Sequence, residues 1–483
     1  MSIIKSLELP FARSDQSSFE IPLEATGAIN TFTVFVGKNG TRKSFLLRHS
    51  LDSALRTVAT KEATDLGVLS EPDRGTKLYR TPSKIIAISA AATDRFPSKP
   101  AASDRIRQSK YNVPYYSYIG PRTAGNILSR NQSIDELVKV ILEKPDTIAE
   151  RKSFLHQITD RLCILPDFQF GLDLSASARK GSIIDYLQQR IRESDLNKNK
   201  QSHIIYSEAL QFANSVRGKK FSQEINRKLN DLRDAGGVVS VAARRKQTAG
   251  DFPFVVYVDC LNGGIDTNGI SLNALEWATR IGFLRPVRFT FRTPSGAYLN
   301  QDDLSTGQWS LFSIMLTLSL AATDDALVLI DEPETGLHPA WQRTFLDSIT
   351  RAIAHVRGCH VLLATHSPLL LSSLDPAASH LVLLTRDSES DEVRARLESV
   401  PFGWDASMIL QDTFDLDDAR APELTDLVDE ALSLIAAGKK GTLPALKRLI
   451  KRMTPYYESL PEEDIGKGVI RSIMNVANWE AKS

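Results

Sequence analysis

Thr33 to Leu51, TVFVGKNGTRKSFLLRHSL, constrains the fold of this chain more than any other stretch. An apolar strand enters a glycine loop and leaves through Lys43-Ser44 into an apolar helix. Strand, tight turn and helix in that order aim backbone N–H groups and a positive helix end at one point, which makes an anion cradle. In the pattern G-x-x-x-x-G-K-[ST] the lysine reaches the β- and γ-phosphates and the hydroxyl ligates Mg²⁺. Lys43 and Ser44 hold those two places, behind Gly37, Lys38, Asn39, Gly40 and Thr41. Asn39-Gly40 suits the turn. Arg42 stands where the pattern has glycine; it keeps an N–H donor and gives up conformational freedom. Alone, the stretch also fits a glycine turn before a core helix.

Three further motifs follow in order, more than 250 residues later. Leu304-Ser305-Thr306-Gly307-Gln308 opens a long apolar helix, with Ser305 a natural N-cap. Its hydroxyl, the Gly307 amide, Gln308 and the helix dipole suit a γ-phosphate. A plain capped core helix is the blander account. ALVLIDEPETGLHP, Ala326 to Pro339, is an apolar strand ending in Asp331-Glu332. Ligands of open α/β sheets bind at the carboxyl ends of strands. There Asp331 would hold Mg²⁺ and Glu332 would position and polarise a water. HVLLATHSP delivers His366 to the same edge, within reach of a γ-phosphate or that water. A lone acid pair or histidine after a strand is usually structural. Four such features in one order are a nucleotide site.

The chain therefore reads as an α/β fold with a mostly parallel sheet, an antiparallel β subdomain and helical additions. Residues 1–130 carry the N-terminal part of an ATPase head with the phosphate loop. Residues 131–236 are mostly helical by their apolar spacing of three and four. Strand patterns return in 237–400 with the other three motifs, and 401–483 is helical again. No repeats or low-complexity tracts interrupt this plan.

The motif set resembles the ATP-binding-cassette ATPase superfamily: LSTGQ its signature, LVLIDEP its Walker B strand and ATHSP its switch histidine. DEPETGLHP is closer to the soluble RecF-like and OLD-like branch, with His338-Pro339 where transporters carry an aspartate. The resemblance covers roughly 1–100 and 238–385. It implies ATP and Mg²⁺ as ligands, and a head-to-tail homodimer. Each composite site would join Lys43, Ser44, Asp331, Glu332 and His366 of one copy to Ser305 and Gly307 of the other. The superfamily's Mg²⁺-contacting glutamine has no counterpart in sight; the loop after KIIAIS reads Asp94-Arg95-Phe96. The runs IIAISAAATDRFPS and YYSYIGPRTAGNILSR look like the ATPase subunit of Septu-type anti-phage systems, including versions attached to retrons. That resemblance implies a separately encoded HNH-type nuclease partner, a retron reverse transcriptase with its nucleic acid in some versions, and leaves DNA contact open. A RecF-like DNA-repair ATPase and a nucleotide-binding scaffold with little turnover stay as alternatives.

Composition narrows the remaining classes. The net charge is +1, so any nucleic-acid contact must be a local patch. The longest apolar runs are too short to span a bilayer, the N-terminus lacks a signal-peptide core, and Cys163, Cys260 and Cys359 form no C-x-x-C pair, which together suit a reducing cytoplasm. A built-in nuclease is disfavoured: LVLLTRDSES lacks a strand-glutamate-glycine pattern, and Asp415 and Asp417 lie in an acidic loop. Lys447, Arg448, Lys451 and Arg452 share one face of an amphipathic helix, either a contact surface or a solvated face. Arg244, Arg245 and Lys246 lie in a loop with the same two readings.

Overall fold

Strand register brings the two ends of the large N-terminal region together. The computed structural model describes residues 3–8, 20–23, 27–65, 77–91, 95–98, 111, 113–121, 131–179, 181–197, 200–234, 248–386, 392–414, 421–437, 443–462 and 464–480. In chain order the strands are β1 (Ile4–Glu8), β2 (Glu20–Pro22), β3 (Thr31–Val36), β4 (Lys77–Leu78), β5 (Lys84–Ser89), β6 (Tyr116–Ile119), β7 (Asp167–Leu174), β8 (Phe254–Asp259), β9 (Gly264–Asp266), β10 (Leu284–Arg292), β11 (Tyr298–Asn300), β12 (Ala326–Asp331), β13 (His360–Ala364), β14 (Ser379–Arg386) and β15 (Val393–Glu398). They form a seven-stranded sheet, β15-β14-β3-β13-β12-β5-β6, a five-stranded sheet, β11-β10-β7-β8-β9, and a three-stranded sheet, β2-β1-β4.

The seven-stranded sheet is parallel except for β15. Every residue of β3, β12 and β13 is buried. Such strands read as unbroken apolar runs because helices cover both sheet faces. On one face Leu46, Leu47, Leu51 and Ala54 of helix Lys43–Asp65 pack with Phe35, Ala87, Leu329 and Leu362. Neighbouring residues that point the other way, Val34, Ile86, Val328 and Leu363, are also buried.

The five-stranded sheet is antiparallel, and β7 is central to it. That strand interrupts the stretch 131–236, which is otherwise helical over Asn131–Glu143, Asp146–Arg161, Ile183–Leu196, Lys200–Asn214 and Val216–Asp234. DFQFGLDL alternates with period two, Phe168, Phe170, Leu172 and Leu174 on one face, and sheet pairing with β8 and β10 prevails over the helical flanks. Phe168 and Phe291 of this sheet meet Phe312 edge-on, ring centroids 5.4 and 5.0 Å apart. These contacts seat the helix Thr306–Ala321.

The chain divides into two compact units, Met1–Gly403 and Trp404–Ser483. The second contains helices Ala406–Phe414, Pro422–Ala437, Leu443–Ser459 and Ile465–Glu480, the last three sharing a core of Leu424, Leu427, Leu446, Met453 and Ile473. Lys447, Arg448, Lys451 and Arg452 are exposed, opposite buried Leu446, Leu449 and Met453. The Arg244-Arg245-Lys246 loop, Asp94, Asp415 and Asp417 lie outside the described residues. Among the described residues, no helix is long and apolar enough to cross a membrane.

Candidate functional site

Gly37 follows β3 directly, pressed so close to β14 that a Cβ there would collide with the Leu384 carbonyl. Gly40 has φ +85°, a left-handed conformation that glycine holds without strain. The Thr41 hydroxyl donates to the Lys38 carbonyl at 2.9 Å and closes the turn, while Lys38 and Asn39 are exposed. Arg42 also has a positive φ, +65°, so the loop demands a left-handed residue at the place where glycine is usual. A Cβ on Gly40 would come within 3.0 Å of Arg386 Nη1, which puts a guanidinium from the end of β14 beside the loop.

Lys43 is buried, and its Nζ donates to the Gly37 carbonyl at 2.8 Å and the Lys38 carbonyl at 3.3 Å. Burial pulls its ammonium down to about 8, against the opposing pull of Glu332, Asp331 and Glu334. Ser44 Oγ donates to Asp331 Oδ1 at 3.0 Å. The register explains that meeting: Asp331 ends β12 level with Ser89 of β5 and Ala364 of β13. A hydroxyl and a buried carboxylate are the hard oxygen donors that Mg²⁺ takes from a protein when waters and phosphates complete its octahedron. The pair fits that ion.

Glu332 has φ +47° and its N–H donates to the Ala364 carbonyl at 2.9 Å. Its carboxylate stands 3.5 Å from His366 Nε2. The His366 hydrogen bond, aided by the charges of His366 and Lys43, holds the carboxyl below its ordinary value despite partial burial. His366 Nδ1 lies 3.4 Å from Lys43 Nζ. Lys43, Ser44, Asp331, Glu332 and His366 thus form one cluster at the carboxyl ends of β3, β12 and β13.

Among the described residues, Ser305, Gly307 and Gln308 have no hydrogen bond to this cluster. Ser305 Oγ accepts from Gln308 N, and the Gln308 carboxamide oxygen accepts from Ser305 N, a reciprocal cap on helix Thr306–Ala321. Gly307 packs against Gly336, so that a Cβ on Gly307 would collide with the Gly336 carbonyl. His338 caps the next helix, its Nδ1 accepting from Ala340 N, with Pro339 in the first turn.

Glu334 and Thr365, not singled out in the sequence, lie directly behind His366. Glu334 Oε1 accepts from Thr365 Oγ1 at 2.8 Å and from His366 N at 2.5 Å. Burial pushes the Glu334 carboxyl up. The only hint in the sequence is a second acid two positions after Glu332, in a turn where acids are ordinary. No glutamine occupies the loop after β5, which runs Ala90-Ala91-Ala92-Thr93-Asp94-Arg95.

Residues 147–372, just under half of the chain, match the AAA_21 family, described as "AAA domain, putative AbiEii toxin, Type IV TA system". The match takes in the signature, the Walker B strand and His366 but not the phosphate loop. A curated relative, the Septu protein PtuA of Bacillus thuringiensis, is 29% identical over 109 residues, 22% of this chain and 26% of the relative. The matched segment thus spans about a quarter of that protein's length. Solved structures with similarity include the SMC head domain from Thermotoga maritima, at 14% identity over 23% of this chain and 40% of that one, TM-score 0.18. Another is the Smc head domain bound to the C-terminal domain of ScpA from Pyrococcus furiosus, at 11% identity over 83% and 97%, TM-score 0.30. Both superpositions are too loose to compare sites. A phosphate loop on β3 and acids on β12 thus lie in one parallel sheet of a chain that is similar to the AAA_21 ATPase domain over residues 147–372 and, over a shorter segment, to the Septu protein PtuA.

Proposed function

We propose that the chain binds and hydrolyses ATP with Mg²⁺, pairs head-to-tail with a second copy around the nucleotide, and controls a separately encoded HNH-type nuclease in anti-phage defence. The observation that carries the catalytic part is the meeting of Lys43, Ser44, Asp331, Glu332 and His366 at the edge of adjoining strands. Phosphate oxygens would compete with the Gly37 and Lys38 carbonyls for the Lys43 ammonium, so the lysine is poised to change partners. Mg²⁺, when bound, would supply charge compensation for the phosphates. Ser44 and Asp331 are the residues to hold it. Glu332, kept ionised, orients the attacking water; a loose phosphoryl transition state asks for positioning more than for a strong base. His366 stands between Glu332 and Lys43 and steadies both.

Ser305 and Gln308 are hydrogen-bonded to each other and Gly307 packs on Gly336, and among the described residues none of the three is hydrogen-bonded to this cluster, which favours a second copy's signature closing each site. The similarity to the Septu protein PtuA supports the defence role, and the nuclease, together with a reverse transcriptase in retron versions, is the partner class that resemblance implies. Arg42, at a positive φ, favours one alternative, a scaffold that holds ATP and splits it little. Phosphate release from purified protein with ATP and Mg²⁺, beside Lys43→Ala, tests the reading. Turnover in the parent and its loss in the variant are expected. ATP held but never split by the parent would select the scaffold, and equal turnover in both proteins would overturn the site.

A further inference from the structure

Glu334 has been given no part in phosphate or water chemistry, yet its carboxylate joins two turns behind the site. Oε1 accepts both the Thr365 hydroxyl and the His366 N–H, while Oε2 is shut off from solvent with no partner among the described residues. Thr365 is fully buried, and its Oγ1 in turn accepts from Ser367 N at 2.9 Å. Ser367 Oγ donates to Gln342, Gln342 Nε2 donates to the Leu337 carbonyl, and Leu337 N donates back to the Glu334 carbonyl. The turn after β12 and the turn after β13 are closed into one ring of hydrogen bonds.

Resting on the hydrolysis reading, we propose that Glu334 is a positioning residue that clamps the Thr365–His366 turn, so that the imidazole stands between Glu332 and Lys43. The imidazole reaches those partners at 3.5 and 3.4 Å through opposite nitrogens, so a small rotation of the turn breaks one contact or the other. The role needs an oxygen acceptor at the place of Oε1, where the Thr365 hydroxyl and the His366 N–H converge. Glutamine supplies the same acceptor; alanine supplies none.

The experiment compares Glu334→Ala and Glu334→Gln in the full-length protein, in parent and His366→Ala backgrounds, by ATP affinity and single-turnover rate. Glu334→Ala is expected to lower the rate about 10- to 100-fold, as misplaced reacting groups do. ATP affinity should stay within about threefold, and Glu334→Gln should keep the rate within about threefold. In the His366→Ala background Glu334→Ala should cost less than about twofold, since groups acting as a unit are not additive. Additive losses, a parent-like alanine variant, or equal losses of affinity and rate would overturn the clamp. Thr365→Val, which deletes one clamp bond at nearly constant volume, stands in if the alanine variant does not fold; a rate equal to the parent's then counts against the proposal. If the parent splits no ATP, the hydrolysis reading fails on its own. Hydrogen exchange at the His366 amide still reads the clamp: faster in Glu334→Ala but not in Glu334→Gln upholds it, and equal rates in all three overturn it.

Discussion

Arg42 holds a backbone conformation that costs an L-residue about 1–2 kcal/mol and glycine nothing. Part of that gain is returned when glycine loosens the unfolded chain. Arg42→Gly is therefore expected to raise stability by about 1 kcal/mol in urea unfolding, with ATP affinity retained because the N–H donor stays. A fall in stability would mean that the Arg42 side chain gives more to the loop than its backbone costs. Lys43 makes a second prediction at the same scale. Its ammonium titrates at about 8 in the free protein, against 10.5 for an ordinary lysine. Between those values the unfolded chain binds more protons, so the free protein gains stability as pH rises through that window. Phosphates reverse the preference by favouring the charged form. Calorimetry of ATP binding in two buffers of different ionisation enthalpy is expected to show proton uptake near pH 8.5 and none near pH 6.5. Uptake that is the same at both values would place the titration elsewhere.

His360 opens β13 fully buried, with Nδ1 accepting from Ile4 N at 3.3 Å and Nε2 2.9 Å from Thr33 Oγ1. It ties β1 and β3 to β13, and burial holds its imidazole down to about 3. The unfolded chain takes up that proton near pH 6.5, so stability contributed by the neutral ring is lost as pH falls from about 6.5 towards 3, by up to about 1.4 kcal/mol per unit. His360→Gln should flatten that limb of the stability–pH curve; an unchanged slope would assign acid sensitivity to other groups. His360 looks in the sequence like any residue at a strand start, because its partners come from positions 4 and 33. The strands themselves were legible: TVFV, KIIAIS, ALVLID and HVLLA are short apolar runs bounded by turn residues, and each is a strand of the parallel sheet. β7 was hidden between helical segments although its alternation is plain once looked for. Glu334 was not legible at all, since nothing local distinguishes an acid that turns inward from one that faces water. The meeting of Lys43, Ser44, Asp331 and His366 was legible because each follows or ends an apolar run that reads as a strand of one parallel sheet.

At the scale of the molecule, the proposed head-to-tail closure makes a prediction about mass. Glu332→Gln with ATP and Mg²⁺ is expected to double the 53.5 kDa mass in light scattering and to retain nucleotide, while the parent does so only transiently. A variant that binds ATP and stays monomeric would refute head-to-tail closure. The order of the seven-stranded sheet has a further consequence. β3 lies between β13 and β14, and neither exists until synthesis passes His360. At about 5–20 residues per second, the roughly 320 intervening residues leave a strand destined for burial along its whole length waiting about 15–65 s with both edges bare. Over that interval β3 has neither of its sheet neighbours, and a message cut short before β14 yields a polypeptide in which the strand that carries the glycine loop lacks one of them. A working nucleotide loop would thus require synthesis past Arg386, the end of β14.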